Sequence, residues 1–246
     1  MRAMALCSAA PQRPFLLFLM FLACFAKAYA QNGYGPEMSI GNTSVQYIAP
    51  SKFTTLSTGT MSGFRLGAIA DLQLNGQLYF QSGLYFTVRS FSKSILADSA
   101  GILYEHVDES MEIHYLEMPL SLMFKTGRQG WGRICIAAGA TISYVVGGVA
   151  TLHDYGMNIK QQPFDNSSNI TLVGGHDLNA IDVGLNLSLG YEMYKGLYFK
   201  LYYYHGFNNL STFGDESFRL RSLGIGMGYF MGKGRHIHAA DELIAE

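Results

Sequence analysis

The chain has 246 residues, about the length of one large domain or two small ones. Apolar residues make up 49% and aromatics 13%, but charged residues only 14%, against roughly 25% in an average soluble protein. That balance, with 28 Gly, 16 Tyr and 16 Phe, suits strands better than helices. A formal charge of −1 offers no basic excess with which to bind a nucleic-acid backbone.

In chain order, residues 1–30 read as a secretory signal. Arg2 and Arg13 form the basic start, Phe15 to Phe25 the apolar stretch, and Ala28-Tyr29-Ala30 a small-x-small cleavage site. The apolar stretch falls short of the ~20 residues that a permanent membrane helix needs. A second reading makes Cys24 a lipid-bearing first residue, although Phe21 stands where Leu is expected. Cleavage after Ala30 leaves Cys135 as the sole cysteine, so no internal disulfide is expected. It also removes Arg2, Arg13 and Lys27, leaving 14 basic against 18 acidic residues, a net charge of −4.

The rest of the chain shows period two, which in a strand sends successive side chains to opposite faces. Phe64, Leu66, Ala68, Ala70, Leu72 and Leu74 oppose Arg65, Gly67, Asp71 and Gln73. Leu78, Phe80, Leu84, Phe86 and Val88 oppose Tyr79, Gln81, Tyr85, Thr87 and Arg89. Leu116 to Phe124 oppose Glu117, Ser121 and Lys125, and Ile134 to Val146 oppose Arg133, Gly139, Thr141 and Ser143. The segments Ile181–Glu192, Leu197–Tyr204 and Ser222–Tyr229 continue the pattern, which makes seven strands. An eighth is placed between about Met38 and Ile48, where alternation is poor, because single-chain bacterial outer-membrane barrels have even strand numbers.

The charges decide which face is inside. Arg65, Asp71, Arg89, Glu117, Lys125, Arg133, Asp182, Glu192 and Lys200 all take the polar parity. On the apolar parity, a charge at the bilayer midplane would cost ~2–4 kcal/mol. The expectation is an all-β, eight-stranded antiparallel up-and-down transmembrane barrel over residues 31–232, with a lumen charge network and a lipid-facing exterior. A soluble barrel with its apolar face inward is the alternative. Links alternate short (Asn75-Gly76, Thr126 to Gly130, Tyr194 to Gly196) with long (Ala49 to Met61, Ser92 to Met111, Gly147 to Leu178, Phe207 to Ser217). This pattern places both termini in the periplasm and the long loops outside the outer membrane. Residues 233–246 read as a disordered overhang.

Tyr115-Leu116-Glu117-Met118-Pro119-Leu120, the Gly63–Tyr85 pair of strands, Tyr204 to Leu210 and Leu223 to Phe230 together resemble the PorT-like outer membrane β-barrel family. The resemblance spans roughly Met38 to Met231. It implies an eight-stranded barrel in one phylum of Gram-negative bacteria, and its namesake is associated with protein secretion by the type IX system. Pro119 removes a ladder hydrogen bond and reads as a local bulge, which the resemblance suggests is shared across the family. Asp98-Ser99-Ala100 resembles the short O-glycosylation signal of that phylum, which makes Ser99 a modification candidate.

Candidate chemistry is sparse. His153, Asp154, His176 and Asp177 share one long loop and are metal-ligating residue types, but their spacing fits no metal signature. His114 and His205 are conceivable general bases, yet their parity turns them toward lipid. The lumen-parity tyrosines Tyr79, Tyr85, Tyr198, Tyr202 and Tyr204 read as filler, because eight strands leave room only for side chains. The expectation is therefore a non-enzymatic barrel without cofactor, acting in envelope structure, adhesion or secretion. Its partners are outer-membrane lipid and other envelope or secretion proteins. A narrow small-molecule or ion pathway and a membrane-embedded hydrolase remain as alternatives.

Overall fold

The computed structural model describes residues 33–48, 55–97, 102–126, 132–158, 162–175, 177–193, 196–212 and 217–231. Nine strands follow one another: β1 (Gly33–Ile48), β2 (Thr55–Asn75), β3 (Leu78–Ala97), β4 (Ile102–Lys125), β5 (Arg133–Asn158), β6 (Pro163–Leu172), β7 (Ile181–Glu192), β8 (Leu197–Gly206) and β9 (Ser217–Tyr229). All pairings between them are antiparallel. Eight strands close a ring, β1-β2-β3-β4-β5-β7-β8-β9, with β1 returning to β9. The ninth, β6, pairs only with the upper part of β5 and stands outside the ring.

The exterior of that ring is apolar. Met38, Ile40, Leu66, Leu122, Ile136, Leu189, Leu201 and Leu223 are exposed, while their alternating neighbours Ser39, Arg65, Ser121 and Ser222 are buried. The soluble alternative needs the reverse arrangement and fails. Tyr191 and Tyr229, toward one end, and Tyr144, toward the other, are also exposed, as interfacial aromatics are.

The strands run further than the alternation suggests. Most of Ser92 to Met111 and of Gly147 to Leu178, read from sequence as loops, extends β3, β4 and β5 and forms β6. The first six residues of β2 join them, pairing Thr55–Thr60 with Phe91–Leu96. The result is a sheet that projects past the ring at the end opposite Gly33 and Met231. Both its faces meet water over much of its length, so nothing there selects an apolar face and the period-two signal vanishes. At its base a bulge leaves Val146 unmatched, with Tyr115 opposite Val145 and His114 opposite Gly147. The parity of β5 flips there, so that Val145 below and Gly148 and Ala150 above all face inward.

Smaller departures have local causes. β1 begins at Gly33 rather than near Met38, because Gly33 to Glu37 pair with Asp71 to Gly67 despite their weak pattern. The β2–β3 turn is Gly76-Gln77, one residue later than Asn75-Gly76. Gly76 takes φ 45°, and the Gln73 side-chain amide donates to its carbonyl at 2.6 Å. Pro119 makes no bulge: Ser82 opposes Leu120 and Tyr85 opposes Glu117 in one continuous register. Proline lacks only the donor, so the β3–β4 ladder has a gap rather than a slip. Val88, expected to face lipid, is buried.

Candidate functional site

The lumen holds the densest chemistry in the described residues. Each of the nine charged residues of the polar parity is buried, and β1 adds a tenth, Glu37, at 1% exposure. Glu37 precedes the expected start of the first strand. Its alternation with Ser39 opposite Met38 and Ile40 is the signal that could have placed it. The buried set contains five basic residues (Arg65, Arg89, Lys125, Arg133, Lys200) and five acidic ones (Glu37, Asp71, Glu117, Asp182, Glu192).

The charges meet in three linked groups. Nearest the termini, Lys125 bridges Asp71 and Glu192, the latter at 2.9 Å, and Arg133 holds the other oxygen of Glu192 at 2.8 Å. The Gln81 amide donates to Asp71 at 2.8 Å, and Arg133 donates to the Tyr79 hydroxyl at 3.1 Å. In the middle, Lys200 pairs with Glu37 at 2.7 Å, and the Tyr198 hydroxyl donates to the same carboxylate at 2.5 Å. Beyond it, Glu117 takes Arg89 at 2.5 Å and Arg65 at 3.6 Å, and Arg89 also reaches Asp182 at 3.5 Å. Tyr204 donates to Asp182 at 2.7 Å. Isolated buried ions would be prohibitive; such pairing and hydrogen bonding are what permit charge in a closed interior.

Tyrosines fill the remaining space. The Arg65 guanidinium lies 3.7 Å from the Tyr85 ring centre, and that of Arg89 lies 3.8 Å from Tyr204. Glycines on neighbouring strands make room for these rings. A Cβ on Gly228 would collide with the ring of Tyr198. A cavity between Arg65, Arg89, Thr87, Thr141, Asn186 and Ser222 is small enough for about one water molecule.

Both mouths are closed. Above the charges, Val45, Phe91, Met111, Ile113, Tyr115, Val145, Ala150, Phe218 and Leu220 form one apolar cluster, joined by Leu172 at the end of β6 and by Leu178 and Leu210 from connecting segments. Two of those segments are tied together: Asn179 donates its backbone N–H to the Leu210 carbonyl at 3.0 Å, and Thr212 donates to the Asp177 carbonyl at 2.9 Å. At the other end Phe230 is buried and stacks on Tyr198 at 4.5 Å, beneath the Lys125 ammonium. Alternation alone does not reveal either closure, because apolar residues on the lumen parity are indistinguishable there from pattern breaks.

The other candidates are scattered. His153 lies 2.7 Å from Asp165 on β6, and its chain neighbour Asp154 points to the opposite face of the sheet. Asp177 accepts the Val173 N–H at 2.9 Å, which fixes a turn. His176 and Ser99 lie outside the described residues, as do the signal segment and the tail. Among the described residues no three His, Cys, Asp or Glu side chains come together as a metal site would require. His114 pairs with Glu112 at 2.8 Å on the outer face, and His205 sits 3.4 Å from the Tyr203 hydroxyl. A closer hydroxyl–imidazole contact lies on the projecting sheet, where Ser94 Oγ is 2.7 Å from His106 Nε2, but Asp108 sits 3.2 Å from that same nitrogen and does not orient the ring from its other side.

An eight-stranded ring with an apolar exterior and a charged, filled interior defines the class of integral outer-membrane β-barrels. The chain belongs to the family described as "Outer membrane protein beta-barrel domain", whose profile matches residues 29–212. No curated protein matches it in sequence. Among solved structures it is similar to Ail, the attachment invasion locus protein of Yersinia pestis, at 15% identity and a TM-score of 0.33, covering 80% of this chain and 99% of that one. It is also similar to OprG from Pseudomonas aeruginosa, at 11% identity and a TM-score of 0.39, covering 83% and 99%.

Proposed function

We propose that this barrel works by contact: it carries no reaction and no flux, and presents its projecting sheet and upper loops outside the cell. In this reading the signal segment is removed after Ala30 and both termini lie in the periplasm. The observation that carries it is the closed lumen. Ten charges with no net excess fill the ring, an apolar cluster seals one mouth, and Phe230 fills the other. A transport path would need the cluster to leave, and hydrolysis by Ser94 and His106 would need a carboxylate on the other ring nitrogen, where Asp108 does not sit. Envelope structure, adhesion and an accessory role in secretion like that of the PorT-like namesake are all forms of such contact.

The test is labelling of whole cells with a membrane-impermeant maleimide, in a Cys135→Ala background. Ser168→Cys on β6 is expected to label, whereas Gln77→Cys in the Gly76 turn is expected to label only after lysis. Labelling of Gln77→Cys in intact cells, with Ser168→Cys silent, would reverse the orientation and end the proposal.

A further inference from the structure

The projecting sheet ends on an open edge. β6 pairs with β5 through ten successive residue pairs, from Met157↔Pro163 to Gly148↔Leu172, with no register shift. Among the described residues no strand lies on its other side. Residues 165–171 are all exposed. An open edge of this length offers unpaired backbone N–H and C=O groups to any extended chain, and proteins ordinarily blunt such edges with lysine, an internal proline, a bulge or a covering segment. Among the described residues β6 has none of these. Its single charge is Asp165, and its proline is the first residue, where it interrupts nothing. The sheet's other open edge, at the start of β2, is only six residues long and contains Gly59.

The charge around this edge is predominantly negative. On the projecting sheet Asp108, Glu109, Glu112, Asp154 and Asp165 stand against Lys93, five carboxylates to one lysine, and that lysine is engaged by Glu109 at 2.6 Å.

We infer that β6 is a strand-addition site that captures an extended, basic peptide segment of a partner protein, antiparallel to β6. Backbone hydrogen bonds supply the affinity and the acidic sheet selects the charge. A second copy in the same membrane does not fit. Two copies inserted the same way round are related by rotation about the membrane normal. With barrel strands tilted about 35–45° from that normal, such a rotation leaves the two β6 edges crossed instead of antiparallel. The inference rests on the exterior placement of this sheet proposed above. The maleimide experiment tests that placement separately, so the two can fail independently.

The probe is a fluorescein-labelled ten-residue peptide of alternating Lys and Thr, titrated into the full-length barrel in lipid nanodiscs and followed by anisotropy. Saturable binding is expected, weakened at least tenfold when alternate Thr residues of the probe become Pro, and abolished when its Lys residues become Glu. Hydrogen exchange read on residues 163–172 should slow when the Lys–Thr peptide is added. One of the pair Ser167→Pro and Ser168→Pro removes an N–H that faces the open edge and leaves the β5 ladder intact. That variant should lose binding while keeping the thermal stability of the barrel. Equal binding of the Pro-interrupted probe, or no change in exchange at β6, would show simple charge attraction and overturn the inference. Self-association of the barrel through β6 in sedimentation, lost in the proline variant, would also overturn it.

Discussion

Lys125 gives the sharpest test of the lumen. Its ammonium is fully buried between Asp71 and Glu192 and lies 4.7 Å from the ring centres of both Tyr79 and Phe230. Lys125→Met keeps the length of the side chain but strips a shared cation from two carboxylates. Breaking a buried pair in this way costs about 3–5 kcal/mol. Glu192 retains Arg133 and Asp71 retains the Gln81 amide, which argues for the lower end, about 3 kcal/mol. With a urea slope of about 2 kcal/mol per molar, the unfolding midpoint should fall by about 1.5 M. The assay is urea unfolding in lipid vesicles, followed by the gel shift between folded and unfolded barrel. Adding Asp71→Asn should recover part of the loss, because one of the two orphaned charges disappears. A loss below about 1 kcal/mol for Lys125→Met, or a double variant that costs the sum of the two singles, would refute the network as an energetic unit.

Other substitutions test other parts of the barrel. Leu187 is exposed on the lipid face, and Leu187→Lys should lower stability in vesicles by ~2–4 kcal/mol, whereas Leu187→Met should change little in the same titration. Leu210 is fully buried in the upper cluster, so Leu210→Ala should cost ~2–5 kcal/mol and speed hydrogen exchange in the β8–β9 connection. Gly228→Ala should cost ~1–3 kcal/mol through overlap with the Tyr198 ring, and the cost should largely vanish in a Tyr198→Leu background.

What the sequence reveals follows from where a face is under selection. From Phe64 to Arg89 and Leu116 to Lys125, and again from Arg133 to Val146, Ile181 to Tyr204 and Ser222 to Tyr229, one face must meet lipid, and the alternation is clean enough to place every lumen charge on these strands. Glu37 escapes because the first strand carries Gly33, Gly35 and Pro36, which mask the period. The projecting sheet escapes because Asn166, Ser167, Ser168 and Asn169 are polar on both faces, so a strand there looks like a loop. The mouth closures escape for a third reason. Leu178, Leu210 and Phe230 act through tertiary position, and a solitary apolar residue in a connection carries no local sign that it is tucked into a barrel.

Conductance of the purified, refolded barrel across a planar lipid bilayer probes the closure of the lumen itself. The wild-type chain should leave the membrane quiet, since the apolar cluster around Ile113 and Leu220 and the ring of Phe230 leave no continuous polar path. Leu210→Asp, which places a charge in the upper cluster, should produce intermittent steps. Steady single-channel steps from the folded wild-type barrel would contradict the closed lumen and restore a small-molecule or ion pathway as its function.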